Sequence, residues 1–72
     1  MHVYLYLISA TYVSAKRSAA LAQGLEAAAP VPAMAIRLEA EGQGLWAALD
    51  ELLARGASRI DLRPVGMPFS QS

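Results

Sequence analysis

His2-Val3-Tyr4-Leu5-Tyr6-Leu7-Ile8 decides the fold. The run is β-branched, aromatic and aliphatic, with apolar side chains at odd and even positions alike, so both of its faces ask for cover. That pattern predicts a central strand of a parallel sheet. The run is far short of the roughly 20 apolar residues that a membrane span needs. It also lacks the basic flank and cleavage pattern of a signal peptide.

Working outward, Ser9-Ala10-Thr11-Tyr12-Val13-Ser14 is a hydroxyl-rich turn. Ser14 is placed to cap a helix reaching about Ala29, where Pro30 and Pro32 stop it. Ala15, Ala19, Ala22 and Leu25 recur at spacings of three and four, a stripe suited to lying close on a sheet. Ala33-Met34-Ala35-Ile36-Arg37-Leu38 alternates, with Met34, Ile36 and Leu38 on one face, and predicts a half-buried strand. After a polar loop, Leu45, Trp46, Leu49, Leu52 and Leu53 mark an amphipathic helix ending at Gly56. Arg59-Ile60-Asp61-Leu62-Arg63 alternates again, Ile60 and Leu62 inward, until Pro64 breaks the ladder; Val65 to Ser72 reads as loop. Strand, helix, strand, helix, strand with right-handed crossovers gives a three-stranded parallel α/β sheet. The doubly apolar first strand belongs in the middle, so the expected order is 2-1-3 with one helix on each face.

With 72 residues the chain makes a single domain, 1–72, near the lower limit for one self-supporting core. It is 56% hydrophobic and 17% charged, with mean hydropathy +0.33, which excludes a disordered tail. Six basic and six acidic residues cancel, so no overall field draws the chain to nucleic acid or an anionic membrane. Absence of cysteine removes disulfides, thiolate metal sites and Cys nucleophiles, and a cytoplasmic location is expected.

Ligands of open α/β sheets bind beyond the carboxyl ends of the strands, where strand order reverses. That crevice lies between the first and third strands. Its rim is Ser9, Ala10, Thr11 and Tyr12 on one side and Pro64, Val65 and Gly66 on the other, with Glu39 and Glu41 arriving from the second strand. The hydroxyls and the helix start after Ser14 suit an anion; equally, they suit a turn that satisfies itself. Glu39 and Glu41 fit either a metal or acid/base pair or a solvated loop. His2, the one imidazole, falls at the opposite end of the sheet. Trp46 and Tyr4 lie in apolar runs and are expected to pack. No nucleophile triad, P-loop, dinucleotide fingerprint or zinc spacing is present.

The run Leu45-Trp46-Ala47-Ala48-Leu49-Asp50-Glu51-Leu52-Leu53-Ala54-Arg55-Gly56-Ala57-Ser58-Arg59-Ile60, followed by a strand ending at Pro64, resembles the small sirohydrochlorin cobaltochelatases of the CbiX type. The likeness extends back through Arg37-Leu38-Glu39 to the first strand, and corresponds to the first part of those longer proteins. The resemblance implies a chelatase-like, flavodoxin-like half domain. Those enzymes insert a metal ion using a histidine in a Gly-His-Gly turn after the first strand and another in a Gly-Gly-His segment after the third. Here Ser9-Ala10-Thr11 stands against Gly-His-Gly, so Ala10 takes the histidine position, and the second histidine falls at or just after Ser72. Glu39 matches an acidic residue of the family near its cavity.

The resemblance therefore implies a degenerate domain associated with cobalamin or sirohaem biosynthesis. Such a domain would bind a tetrapyrrole at Ser9, Ala10, Thr11, Tyr12, Glu39 and Gly66 without metal insertion, with no cofactor and no catalytic residue of its own. The alternative is a non-catalytic interaction or assembly module, or the N-terminal piece of a longer protein. Two unpaired sheet edges in so short a chain predict a homodimer, or a partner protein, covering the third strand. Nucleic acid and membrane are not expected partners.

Overall fold

β1 (His2–Ser9), α1 (Ala15–Ala28), β2 (Ala33–Leu38), α2 (Leu45–Ala54) and β3 (Arg59–Val65) follow in chain order in a computed structural model, which describes residues 1–39, 42 and 44–66. The sheet has the expected order β2-β1-β3, and both pairings are parallel. Leu5 of β1 stands between Met34 of β2 and Leu62 of β3.

Local chemistry sets the element ends. Ser14 is extended (φ −64°, ψ 160°), and its Oγ accepts the Arg17 N–H at 3.2 Å, which satisfies one orphan donor of α1. α2 ends in a Schellman motif: the Gly56 N–H bonds Leu53 O and the Ala57 N–H bonds Leu52 O, both at 3.0 Å. The motif requires a left-handed residue between them, and Gly56 supplies φ +99°.

The two faces of the sheet are covered unequally. Val3, Leu5 and Leu7 point to the α2 side, where they form the core with Ala48, Leu52 and Ala57; Met34, Ile36, Leu38, Leu45, Leu49 and Ile60 pack around it. On the other side Ile8 is buried and α1 lies over β2 with Ser18 buried and Ala22 and Leu25 half-buried, whereas Ala15 and Ala19 of the expected stripe remain exposed. Ser18 is the buried residue of α1, its hydroxyl satisfied by Ser14 O at 2.8 Å. Tyr4 and Tyr6 are only half-buried, because the backbone of α1 runs closest to β2. The expectation of two buried faces on β1 thus holds for one face and for part of the other.

Three local expectations are corrected. Trp46 does not pack: it is 73% exposed, and Leu53 is 58% exposed. Ala48 and Leu52 set the inward face of α2, and Trp46, two residues before Ala48, projects to the other side of the helix. Leu62 lies on the α2 side of β3 but is half exposed, rather than inward as its alternation with Asp61 and Arg63 predicted. Pro64 does not break the ladder either, since β3 continues to Val65 with Pro64 beside Leu7.

Hydrogen-bond alternation explains the proline. The N–H groups of Tyr4 and Ala10 bond Pro32 O and Leu38 O, so even-numbered residues of β1 donate toward β2 and odd-numbered ones toward β3. With Leu5 beside Leu62 and Leu7 beside Pro64, the parallel pattern makes Asp61, Arg63 and Val65 donate to β1, while Ile60, Leu62 and Pro64 face outward. Pro64 therefore stands where no ladder donor is required.

Candidate functional site

At the carboxyl ends of the strands the chain brings together most of the expected residues and engages them with one another. Ser9, buried, turns its Oγ back to accept the N–H groups of Thr11 (3.2 Å) and Tyr12 (3.3 Å), and Ser9 O accepts from the Val13 N–H (3.0 Å). This is a serine turn closing on itself, so the hydroxyl spends its acceptor capacity on the backbone. Ala10 continues the sheet through its bond to Leu38 O at 2.9 Å. Thr11 and Tyr12 are exposed.

Arg37, from the end of β2, ties the turn down. Its guanidinium donates to Glu39 Oε2 at 3.1 Å, to Ala10 O at 3.3 Å and to Val13 O at 3.5 Å. Glu39 is thus an ion-pair partner that orients Arg37. Arg37 Nε is buried and has no partner among the described residues. Glu41, the other half of the expected carboxylate pair, and the tail position expected for a second histidine lie outside the described residues.

Gly66 closes the crevice from the β3 side. It adopts φ +74°, and a Cβ there would lie 2.6 Å from Val13 Cγ2. Gly66, the residue after β3, therefore sits directly on the β1–α1 turn, and the space between the first and third strands is occupied by protein at this point. Among the described residues no three His, Asp or Glu side chains gather where they could share a metal ion.

A different group of residues, missed from the sequence, sits on the uncovered half of the sheet. His2 Nε2 and Asp61 Oδ2 are 2.6 Å apart, and the ionised carboxylate, having only acceptors, takes its proton bond from the imidazole. That bond holds the Asp61 carboxyl below its usual range; Arg59 and Arg63 add to the effect, while burial opposes it. Tyr4 meets His2 edge-on at 5.5 Å and Tyr6 at 6.0 Å between ring centroids, and Arg63 lies 4.0 Å over the Tyr4 ring. The signal available in the sequence was the even-numbered set of β1, where His2, Tyr4 and Tyr6 are amphipathic while Val3, Leu5 and Leu7 are purely aliphatic.

No described helix is long and apolar enough to cross a membrane. Comparison of the chain with protein-family models, with curated proteins and with solved structures finds no match, so the likeness to cobaltochelatases rests on the quoted residues alone.

Proposed function

We propose that this chain is a non-catalytic assembly module, an α/β half domain whose strand-end crevice maintains the fold and whose sheet offers the interaction surface. The observation that carries this reading is the closure of the β1–α1 turn. Ser9 Oγ serves backbone donors, Arg37 serves backbone acceptors and Glu39, and Val13 fills the gap at Gly66. Inserting a metal ion into a tetrapyrrole requires a base for the pyrrole protons and ligands to deliver the ion. Ala10 offers neither, and His2 is engaged with Asp61 at the other end of the strands.

The test is incubation of the purified chain with sirohydrochlorin and cobalt(II), followed by visible absorbance. Insertion at the uncatalysed rate is expected. Saturable turnover overturns the reading, and loss of that turnover in Glu39→Ala reassigns the chemistry to the carboxylate.

One observation favours a second reading, tetrapyrrole binding without insertion: the partly exposed guanidinium of Arg37, held against the turn that carries the exposed Thr11 and Tyr12. A partly exposed guanidinium beside an exposed turn suits a ligand carboxylate. Titration with sirohydrochlorin alone tests it. A saturable spectral shift abolished by Arg37→Met supports this reading, and an unchanged spectrum refutes it.

A further inference from the structure

We infer that the outer edge of β3 pairs antiparallel with β3 of a second copy of this chain, about a two-fold axis through Leu62. The inference rests on the assembly reading and names its partner.

The two edges of the sheet are not equivalent. At β2, the outward N–H of Ala35 is capped by Glu26 Oε2 at 2.8 Å, so a carboxylate from α1 occupies that edge and repels an incoming carbonyl. At β3, the N–H groups of Ile60 and Leu62 face outward, and no described strand pairs with them. The helices make their close backbone approaches to β2 and β1, so among the described residues nothing covers the outer edge of β3. Leu62, half exposed at the middle of β3, is apolar surface on that same open strand.

The sequence of β3 selects both the partner and the register. A two-fold axis normal to the sheet keeps each residue on its own face, so it must pass through a residue, and each choice fixes the opposing pairs. An axis through Asp61 sets Asp61 against itself and Arg59 against Arg63; one through Arg63 sets two guanidinium groups together. Like charges directly opposite destabilise a sheet. An axis through Ile60 matches Arg59 with Asp61, but it runs Leu62 against Ser58, whose N–H already bonds Met1 O at 2.9 Å, and Arg63 against the turn before β3.

The axis through Leu62 has none of these faults. Asp61 faces Arg63 of the second copy on both sides of the axis, and Leu62 faces Leu62. Leu62 points both of its backbone groups outward, so it donates to and accepts from its mate; Ile60 then donates to Pro64 O of the second copy at either end. The missing N–H of Pro64 costs only one bond at each end of the ladder. The whole of Arg59–Val65 is matched, and the product is a continuous six-stranded sheet.

Sedimentation equilibrium of the full chain across micromolar concentrations, with circular dichroism of each variant to confirm the fold, tests the inference. A dimer is expected. Arg63→Asp and Asp61→Arg should each weaken it by about tenfold or more, because two opposite-charge pairs become two like-charge pairs. The double variant D61R/R63D restores complementarity and should restore the dimer, as should mixing the two single variants. Leu62→Pro removes the outward donor without touching the ladder to β1, and should give a folded monomer. A folded wild-type monomer at about 100 μM, or a dimer indifferent to all four variants, overturns the inference. Monomers without chelatase turnover remove this partner and leave the assembly reading intact, whereas turnover removes that reading itself.

Discussion

Gly66→Ala probes the contact that closes the strand-end crevice. The glycine sits at φ +74°, and a Cβ there falls 2.6 Å from Val13 Cγ2, whereas carbon atoms rest at about 3.5–4.0 Å. Forcing a left-handed conformation on an L-residue costs about 1–2 kcal/mol. Overpacking adds about 1–3 kcal/mol, because Val13 is buried and β-branched and cannot rotate its methyl groups aside freely. A total near 3 kcal/mol is large for a domain whose whole stability is about 4–11 kcal/mol at the usual per-residue value. It corresponds to a fall in Tm of about 12–24 °C. The assay is thermal and urea unfolding of a double-mutant cycle with Val13→Ala. In the Val13→Ala background the overlap is gone, so the same glycine substitution should cost only the backbone part, about 1–2 kcal/mol. An equal cost in both backgrounds would show that Gly66 and Val13 do not touch, and a cost below about 0.5 kcal/mol in the wild-type background would refute the closed crevice altogether.

Ser14→Ala should cost about 1 kcal/mol through loss of the Arg17 N–H cap, read as a drop in Tm of about 4–8 °C, and an unchanged Tm would deny the cap its role. Leu52→Ala should remove about 2–5 kcal/mol from the centre of the core, enough to leave the chain partly unfolded at 37 °C by far-UV circular dichroism. Because His2 lowers the Asp61 carboxyl below its ordinary 3.8, that group adds stability present above pH 3.8, and the addition is lost as pH falls through the lowered value. Urea midpoints between pH 5 and 2 should therefore fall less steeply for Asp61→Asn than for wild type, and parallel curves would sever this link. Glu26→Ala uncaps the Ala35 N–H at the β2 edge and should produce species larger than a dimer by light scattering; an unchanged mass distribution would show that the edge is protected by other means.

Element type and strand order were legible because they follow from local chemistry and from one asymmetry in hydrophobicity. Ser14, Pro30 and Gly56 mark helix ends through capping and φ restrictions that need no distant neighbour. β1 carries apolar residues on both faces while β2 and β3 alternate, so the order β2-β1-β3 follows from burial demand alone. The candidate site was half legible: the crossover connections dictate that the ends of β1 and β2 meet, and Ser9, Ala10 and Glu39 do lie together there.

What those groups do was decided only by tertiary structure. Whether Ser9 Oγ waits for a ligand or serves Thr11 and Tyr12 depends on the turn geometry, and Arg37 became the organiser of the turn only once α1 had brought Ala10 and Val13 within its reach. Trp46 and Leu53 have the composition of a core but face outward, because hydropathy supplied α2 with more apolar positions than one sheet-facing stripe can hold. Pro64 is a strand breaker in isolation and a strand residue here. The outward phase of the edge ladder, set by the register against Leu7, removes the need for its N–H. Sequence period alone determined which residues share a face. Which face finds cover, and which backbone groups are left outward, are properties of the register and of where the helices settle, and those exist only when the strands are side by side.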